Sequence, residues 1–199
     1  IATFTAALAA GAPPVEAMTL ANTAAGIVVG KSGTATTMLG ELLAETAPRY
    51  TNDEHDVLDL VAVWRNAGMK IGFTNGCFDQ LHPGHLRVLE KAAASCDRLV
   101  VGLNSDASTR KLKGPTRPLQ HEGRRAAVLA ALPMVDAVVI FDKPTPAQII
   151  NAITPDVLIK GGDYRADDIV GAKHVKKNGG KVVIVPTRAG FSTTRLNNV

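Results

Sequence analysis

Five short apolar runs, Ile71–Phe73, Leu99–Leu103, Ala137–Phe141, Val157–Ile159 and Val182–Val185, punctuate the second part of the chain. Each is rich in β-branched residues and predicts a buried strand. Between them, apolar residues recur at helical spacing: Leu86, Leu89 and Ala93 after His85, then Val128, Leu129 and Leu132 after His121. Thr145-Pro146 reads as an N-cap and first-turn proline ahead of Ile149, Ile150 and Ile153. Strand alternating with helix predicts an α/β domain: a doubly wound, parallel, five-stranded sheet, covered on both faces and linked by right-handed crossovers.

The polar clusters fall in register with this pattern. Thr74–His85, Asn104–Lys113, Asp142–Lys143, Lys160–Tyr164 and Thr187–Arg195 each follow the C-terminal end of a predicted strand. In an open parallel sheet those ends share one edge, and ligands bind in the crevice there.

Upstream the texture changes. Residues 1–46 are rich in alanine, threonine and glycine, with helical stretches at Thr3–Ala10 and Val15–Val29. These residues are expected as a small helical appendage, residues 47–56 as a linker, and residues 57–199 as the main domain. That domain opens with a helix through Val57, Leu60, Val61 and Trp64. The chain starts at Ile1, and its first charge is Glu16, which is expected of a piece of a longer protein.

Composition narrows the partners. The 199 residues are 46% hydrophobic and 20% charged, as in a soluble globular protein with one good core. A net charge of +4 favours anionic ligands mildly, while 4% aromatic residues leave little to stack on nucleic acid, so small phosphorylated substrates are expected. Residues 1–10 are apolar, but they lack a basic start and are too short to span a bilayer, so no membrane partner is expected. Cys77 and Cys96 have no metal-ligand spacing and are too few for a disulfide framework, which fits a reducing, cytoplasmic setting.

The most specific chemistry is Thr74-Asn75-Gly76-Cys77-Phe78-Asp79-Gln80-Leu81-His82-Pro83-Gly84-His85, where a strand empties into a helix start. Unpaired N–H groups and the positive end of the helix dipole attract phosphate there, and the two imidazoles can donate to one oxyanion. The segment resembles the HxGH signature of the nucleotidyltransferase superfamily, and the fuller string resembles its heptose 1-phosphate adenylyltransferase branch. Lys160-Gly161-Gly162-Asp163-Tyr164 is similar to a second segment of that branch, and Ser192-Thr193-Thr194 to the motif that grips the β- and γ-phosphates. The resemblance runs from about Lys70 to Leu196.

Two basic elements complete the picture. Arg110-Lys111-Leu112-Lys113 reads as a mobile loop or as plain solvated surface; the family carries a lysine in this loop, and Lys113, followed by glycine, matches it best. Glu122-Gly123-Arg124 resembles a Glu-x-Arg element whose arginine faces the substrates. Related cytidylyltransferases place an arginine where Thr187 stands, so no role passes to its neighbour Arg188.

The resemblance implies a Rossmann-like nucleotidyltransferase fold and the reaction of ATP with D-glycero-β-D-manno-heptose 1-phosphate, giving ADP-heptose and pyrophosphate. It assigns His82, His85, Lys113 and Arg124 to catalysis. ATP falls to Thr74, Asn75, Gly76, Cys77, Phe78, Gly84, Lys160, Gly161, Gly162, Asp163, Ser192, Thr193 and Thr194. The acceptor falls to Asp79, Asn104, Asp106 and Tyr164. Mg²⁺ is expected to arrive with ATP, without ligands from the protein, and the assembly is expected to be a homodimer. The alternatives are a cytidylyltransferase acting on an alcohol phosphate such as glycerol 3-phosphate, or a non-catalytic nucleotide-binding domain.

Near the N-terminus, Ala21–Thr34 resembles the closing portion of a ribokinase-type sugar kinase, a fold whose catalytic aspartate has no counterpart in these residues. Within it, Ala25–Ser32 satisfies a relaxed Walker A pattern. A P-loop needs a preceding strand and small residues, whereas Ile27, Val28 and Val29 are stiff and β-branched and follow a helical pattern, so a P-loop is rejected.

Overall fold

A computed structural model of the chain describes residues 1–46, 49–162 and 164–186, and these divide into two compact units, 1–48 and 49–199. The first unit holds α1 (Ala2–Ala9), α2 (Pro14–Val29) and α3 (Leu39–Thr46). Its buried residues include Ala17 and Ala24 on α2. The Walker-like run continues from α2 rather than from a strand, and the Lys31 ammonium pairs with the Glu41 carboxylate at 2.6 Å.

The second unit runs β1 (Tyr50–Thr51), α4 (Glu54–Asn66), β2 (Ile71–Gly76), α5 (Pro83–Ala93), β3 (Arg98–Asn104), α6 (Asp106–Lys113), α7 (Glu122–Ala130) and β4 (Ala137–Phe141). It continues with α8 (Ala147–Ile153), β5 (Val157–Gly161), α9 (Ala172–Lys177) and β6 (Lys181–Val185). All five predicted strands are present. The sheet has six strands rather than five, however, in the order β1-β4-β3-β2-β5-β6, and every pairing is parallel.

The sixth strand comes from the expected linker, residues 47–56. Tyr50 and Thr51 pair with Val138 and Val139 of β4, and Asp53 caps α4 by accepting the His55 N–H at 2.9 Å. Two residues carry no detectable alternation, so only the neighbouring edge of β4 makes this segment a strand. A second correction concerns Arg110–Lys113, which is the last turn of α6 and not a loop, closed by Gly114 at φ 98°. Ser105 starts this helix by accepting the Ser108 N–H at 3.0 Å, so a polar sequence holds a helix through its caps. Helix α8 begins one residue after the expected place, with Pro146 itself as the N-cap residue.

Side-chain alternation along β3 divides the core. Leu99, Val101 and Leu103 pack with Leu89 and Ala92 of α5 and Ala126 and Leu129 of α7. Val100 points the opposite way, as the pleat requires. On α4, Val57, Leu60, Val61 and Trp64 form the buried stripe, and α4 packs against α8 and against the sheet. Both faces are thus covered. The chain leaves β2 outward through β3 and β4, then returns to place β5 on the other side of β2. That reversal makes the gap between β2 and β5 the switch point, where helix-forming connections diverge and leave a crevice.

Candidate active site

The β2–α5 connection opens at that crevice. Pro83 occupies the first turn of α5, where its missing N–H costs nothing, and His82 is the N-cap. The His82 Nδ1 accepts the His85 backbone N–H at 3.3 Å. Because that N–H can only donate, Nδ1 carries no proton, and the neutral ring holds its proton on Nε2 as a donor. The two imidazoles stack, with centroids 3.7 Å apart and planes at 23°. Phe78 backs His85 with centroids 5.0 Å apart, and Phe78 takes a left-handed φ of 43° to do so.

The electrostatics disfavour the charged form of both rings. Burial lowers the His85 pKa to about 4, aided by the charges of His82 and Lys113, with the Gln80 backbone opposing. That opposition falls short of a bond: the buried His85 Nδ1 has no hydrogen-bond partner among the described residues. His82 is also lowered, first by burial and then by Lys113. The Lys113 charge therefore acts at the histidine pair even though Lys113 is an exposed residue at the end of α6.

Across the switch point, the Lys160 ammonium donates to the Asn75 carbonyl at 3.1 Å and to Asn75 Oδ1 at 3.2 Å. Burial lowers its pKa. Gly161 lets α5 approach this strand, since a Cβ there would lie 2.5 Å from Val88 Cγ2. Gly162 has a φ of 129° and sits beneath the Tyr164 ring, which is half exposed. Thr74 and Gly76 lie on β2, Cys77 on the turn that follows and Gly84 in the first turn of α5, so this group of expected residues shares one edge. Asp163, Ser192, Thr193 and Thr194 lie outside the described residues.

Of the expected acceptor residues, Asp79, Asn104 and Asp106 are engaged with the protein, whereas Tyr164 is half exposed. Asp79 is buried; its carboxylate pairs with Arg117 and accepts the Leu119 N–H at 2.6 Å, which ties the β2–α5 turn to the segment before α7. The Asn104 amide donates to Ser108 Oγ at 2.8 Å. Asp106 pairs with Arg125 at 2.6 Å and faces His121 Nε2 at 3.5 Å.

Arg125 is the residue that motif reading passed over. Its buried guanidinium donates to the Cys77 carbonyl at 2.6 Å, the Asn104 carbonyl at 2.9 Å and the Gln120 carbonyl at 2.9 Å, besides its bond to Asp106. One planar fork thus fixes the turn before the histidines, the end of β3 and the start of α6. Its neighbour Arg124 is exposed, and its side chain makes no hydrogen bond or ion pair among the described residues. The signal for the difference is spacing: Arg125, Leu129 and Leu132 share one stripe, whereas Arg124 shares its face with the exposed Val128.

Among the described residues no three His, Cys, Asp or Glu side chains converge as a metal cage, and no helix is long and apolar enough to cross a membrane. The arrangement suits anion binding: a helix start, two donor-capable imidazoles, and the Lys113 charge acting at both of them.

Known proteins resemble the chain in sequence and in fold. Proteins named "Bifunctional protein HldE" from Rhodospirillum rubrum and Paramagnetospirillum magneticum are 52% and 53% identical to the chain over 201 residues each, covering 98% of it. The chain spans about two fifths of their length, 40% and 41% respectively. A lipopolysaccharide core biosynthesis protein from Thermoplasma volcanium superposes with a TM-score of 0.50 at 29% identity, covering 61% of this chain and 98% of that one. Pantoate-beta-alanine ligase from Francisella tularensis shares the fold, with a TM-score of 0.55 at 16% identity over 77% of this chain and 74% of its own. The cytidylyltransferase-like family model matches residues 73–198, a span that begins inside β2 and takes in the histidine turn, Arg125 and Lys160. This chain therefore belongs to the cytidylyltransferase-like family of nucleotidyltransferases.

Proposed function

We propose that the chain transfers AMP from ATP to D-glycero-β-D-manno-heptose 1-phosphate, releasing pyrophosphate and forming ADP-heptose. The stacked His82–His85 pair at the start of α5, set in the switch-point crevice, carries the reading. The ordered heptose-branch motifs and the likeness to HldE proteins support the acceptor.

The acceptor's phosphate oxygen is already anionic, so it attacks the α-phosphorus without a general base, and the bond from that phosphorus to the bridging oxygen of pyrophosphate breaks in line. His82 Nε2–H and the His85 ring donate to the phosphate oxygens as charge builds on them, in a site that is partly shielded from water. Lys113 and Arg124 add positive charge, and Lys160 stiffens the Asn75 turn. Asp79 and Arg125 are positioning residues that hold the histidine turn. Ser192, Thr193 and Thr194 grip the leaving pyrophosphate in this reading. Bound with ATP, Mg²⁺ would neutralise part of the triphosphate charge, held by the phosphates themselves in this reading. Residues 1–46 are read as the closing part of a ribokinase-type sugar kinase, and the whole protein as a cytoplasmic homodimer.

The test is pyrophosphate release across four nucleoside triphosphates and a set of sugar and alcohol phosphates, with ATP and heptose 1-phosphate expected as the best pair. The family's description favours one second reading, a cytidylyltransferase. Faster turnover of CTP with glycerol 3-phosphate establishes that reading and sinks the first. Nucleotide binding without turnover of any pair points to a non-catalytic domain.

A further inference from the structure

The crevice between β2 and β5 accounts for one side of the site. At the ends of β3 and β4 the same sheet edge opens into a cavity of about 560 Å³, a volume ordinary for small-molecule sites. A second cavity of about 340 Å³ shares Asn52, His121 and Glu122 with it.

The walls are polar and held in place by hydrogen bonds among the lining residues. Glu122 Oε2 accepts the Asp106 N–H at 2.6 Å, and Asp142 Oδ1 accepts the Ser105 hydroxyl at 2.5 Å. Each carboxylate is thereby fixed through one oxygen, while the other has no hydrogen-bond partner among the described residues. Facing them are Asn52 and Glu54, whose side chains make no hydrogen bond or ion pair among the described residues. Fixed carboxylate oxygens and an amide match hydroxyl groups, which donate to the one and bond either end of the other.

Two further observations give the cavity an orientation and an owner. Arg110 lines it, and Lys113 lies one turn along on the same face of α6, where its charge reaches both imidazoles. A phosphate held at Arg110 is thus one helical turn from the charge that acts on the histidine pair. Asn52 and Glu54 precede residue 73, where the family match begins. The wall they form lies upstream of the matched span, anchored by the β1–β4 pairing and by the Thr51 hydroxyl donating to Asp56 at 2.7 Å.

We propose that this cavity binds the polyhydroxylated body of a sugar 1-phosphate, with its phosphate turned toward Arg110, and that Asn52 and Glu54 on the β1–α4 segment select the acceptor. The proposal rests on the sugar-phosphate reading above and deepens it by naming where the sugar lies and which segment recognises it.

Kinetics of the full chain carrying Asn52→Ala and Glu54→Ala test it. The KM for heptose 1-phosphate is expected to rise roughly tenfold to a hundredfold, as for the loss of two hydrogen bonds, one of them to a charged group, while the KM for ATP does not move. An unchanged acceptor KM in an active enzyme overturns the proposal and leaves the reaction assignment standing. Amide NMR of the full wild-type chain titrated with heptose 1-phosphate reads binding whether or not turnover occurs. Resonances of residues 50–54 and 140–143 are expected to shift, and silence in both segments overturns the cavity assignment. Shifts there, in a chain that releases no pyrophosphate with any pair, uphold the cavity while the catalytic reading falls.

Discussion

At the scale of single residues, the histidine pair and the two adjacent arginines make separable predictions. His82→Ala and His85→Ala are each expected to lower kcat on the order of a hundredfold or more, the usual cost of deleting a transition-state donor, with thermal melts close to wild type. Normal turnover, or a collapse of the melt, contradicts the assignment. The depressed His85 pKa has its own signature. Its folded value of about 4 lies below the ordinary 6.5, so on acidification the unfolded chain takes up the proton first. Stability from keeping this ring neutral is full above about pH 6.5 and drains away toward pH 4. The Tm of wild type, close to that of His85→Ala at neutral pH, should therefore fall below it as pH is lowered across that window, and a constant difference refutes the shift. Arg125→Ala leaves the Asp106 carboxylate and three carbonyls without their donor, and breaking a buried pair of this kind costs about 3–5 kcal/mol. Urea unfolding measures it, and Arg125→Lys should recover little because an ammonium lacks the planar fork. Arg124→Ala should do the reverse, lowering kcat without moving the unfolding midpoint. The motif thus pointed to this turn of α7, but the choice between neighbouring arginines lay in which face of the helix is buried.

At the scale of elements, the catalytic turn works only if α5 sits close against β5. Gly161 permits that approach, since an added Cβ would fall 2.5 Å from Val88 Cγ2, and valine is stiff about χ1. Gly161→Ala is expected to push the start of α5 outward, costing about 1–3 kcal/mol as overpacking does, and to raise the KM for ATP. Val88→Ala removes the obstructing methyls and should restore both in the double variant, a coupling that a double-mutant cycle detects. Strict additivity of the two changes argues against the contact. Strand existence was legible here because buried parallel strands are runs of apolar residues with no other use. The α6 helix was not, because its sequence is polar and its helicity depends on the Ser105 cap, the Gly114 stop and buried positions that lie beside β3. Likewise Tyr50–Thr51 became a strand only through pairing with β4, a partner almost ninety residues away.

At the scale of the whole molecule, the division at residue 48 separates the helical N-terminal unit from the sheet that carries every described site residue. Deleting residues 1–46 is expected to leave pyrophosphate release intact, and Lys31→Ala to change neither activity nor melt. The Lys31–Glu41 pair is about a third exposed at each end, and surface pairs contribute about 0–1 kcal/mol. Loss of transferase activity in Lys31→Ala with circular dichroism unchanged reinstates the rejected P-loop. Taken alone, the sequence determined that a parallel α/β sheet forms, that its described polar clusters follow the strand ends of one edge, and that two histidines stand at a helix start. Those features are local: period, capping and motif spacing are written within a few residues of one another. Tertiary structure alone decided the sixth strand, the buried fork of Arg125 and the polar cavity beside β4. Each of these depends on groups far apart in the chain, and only strand order brings them within hydrogen-bonding reach.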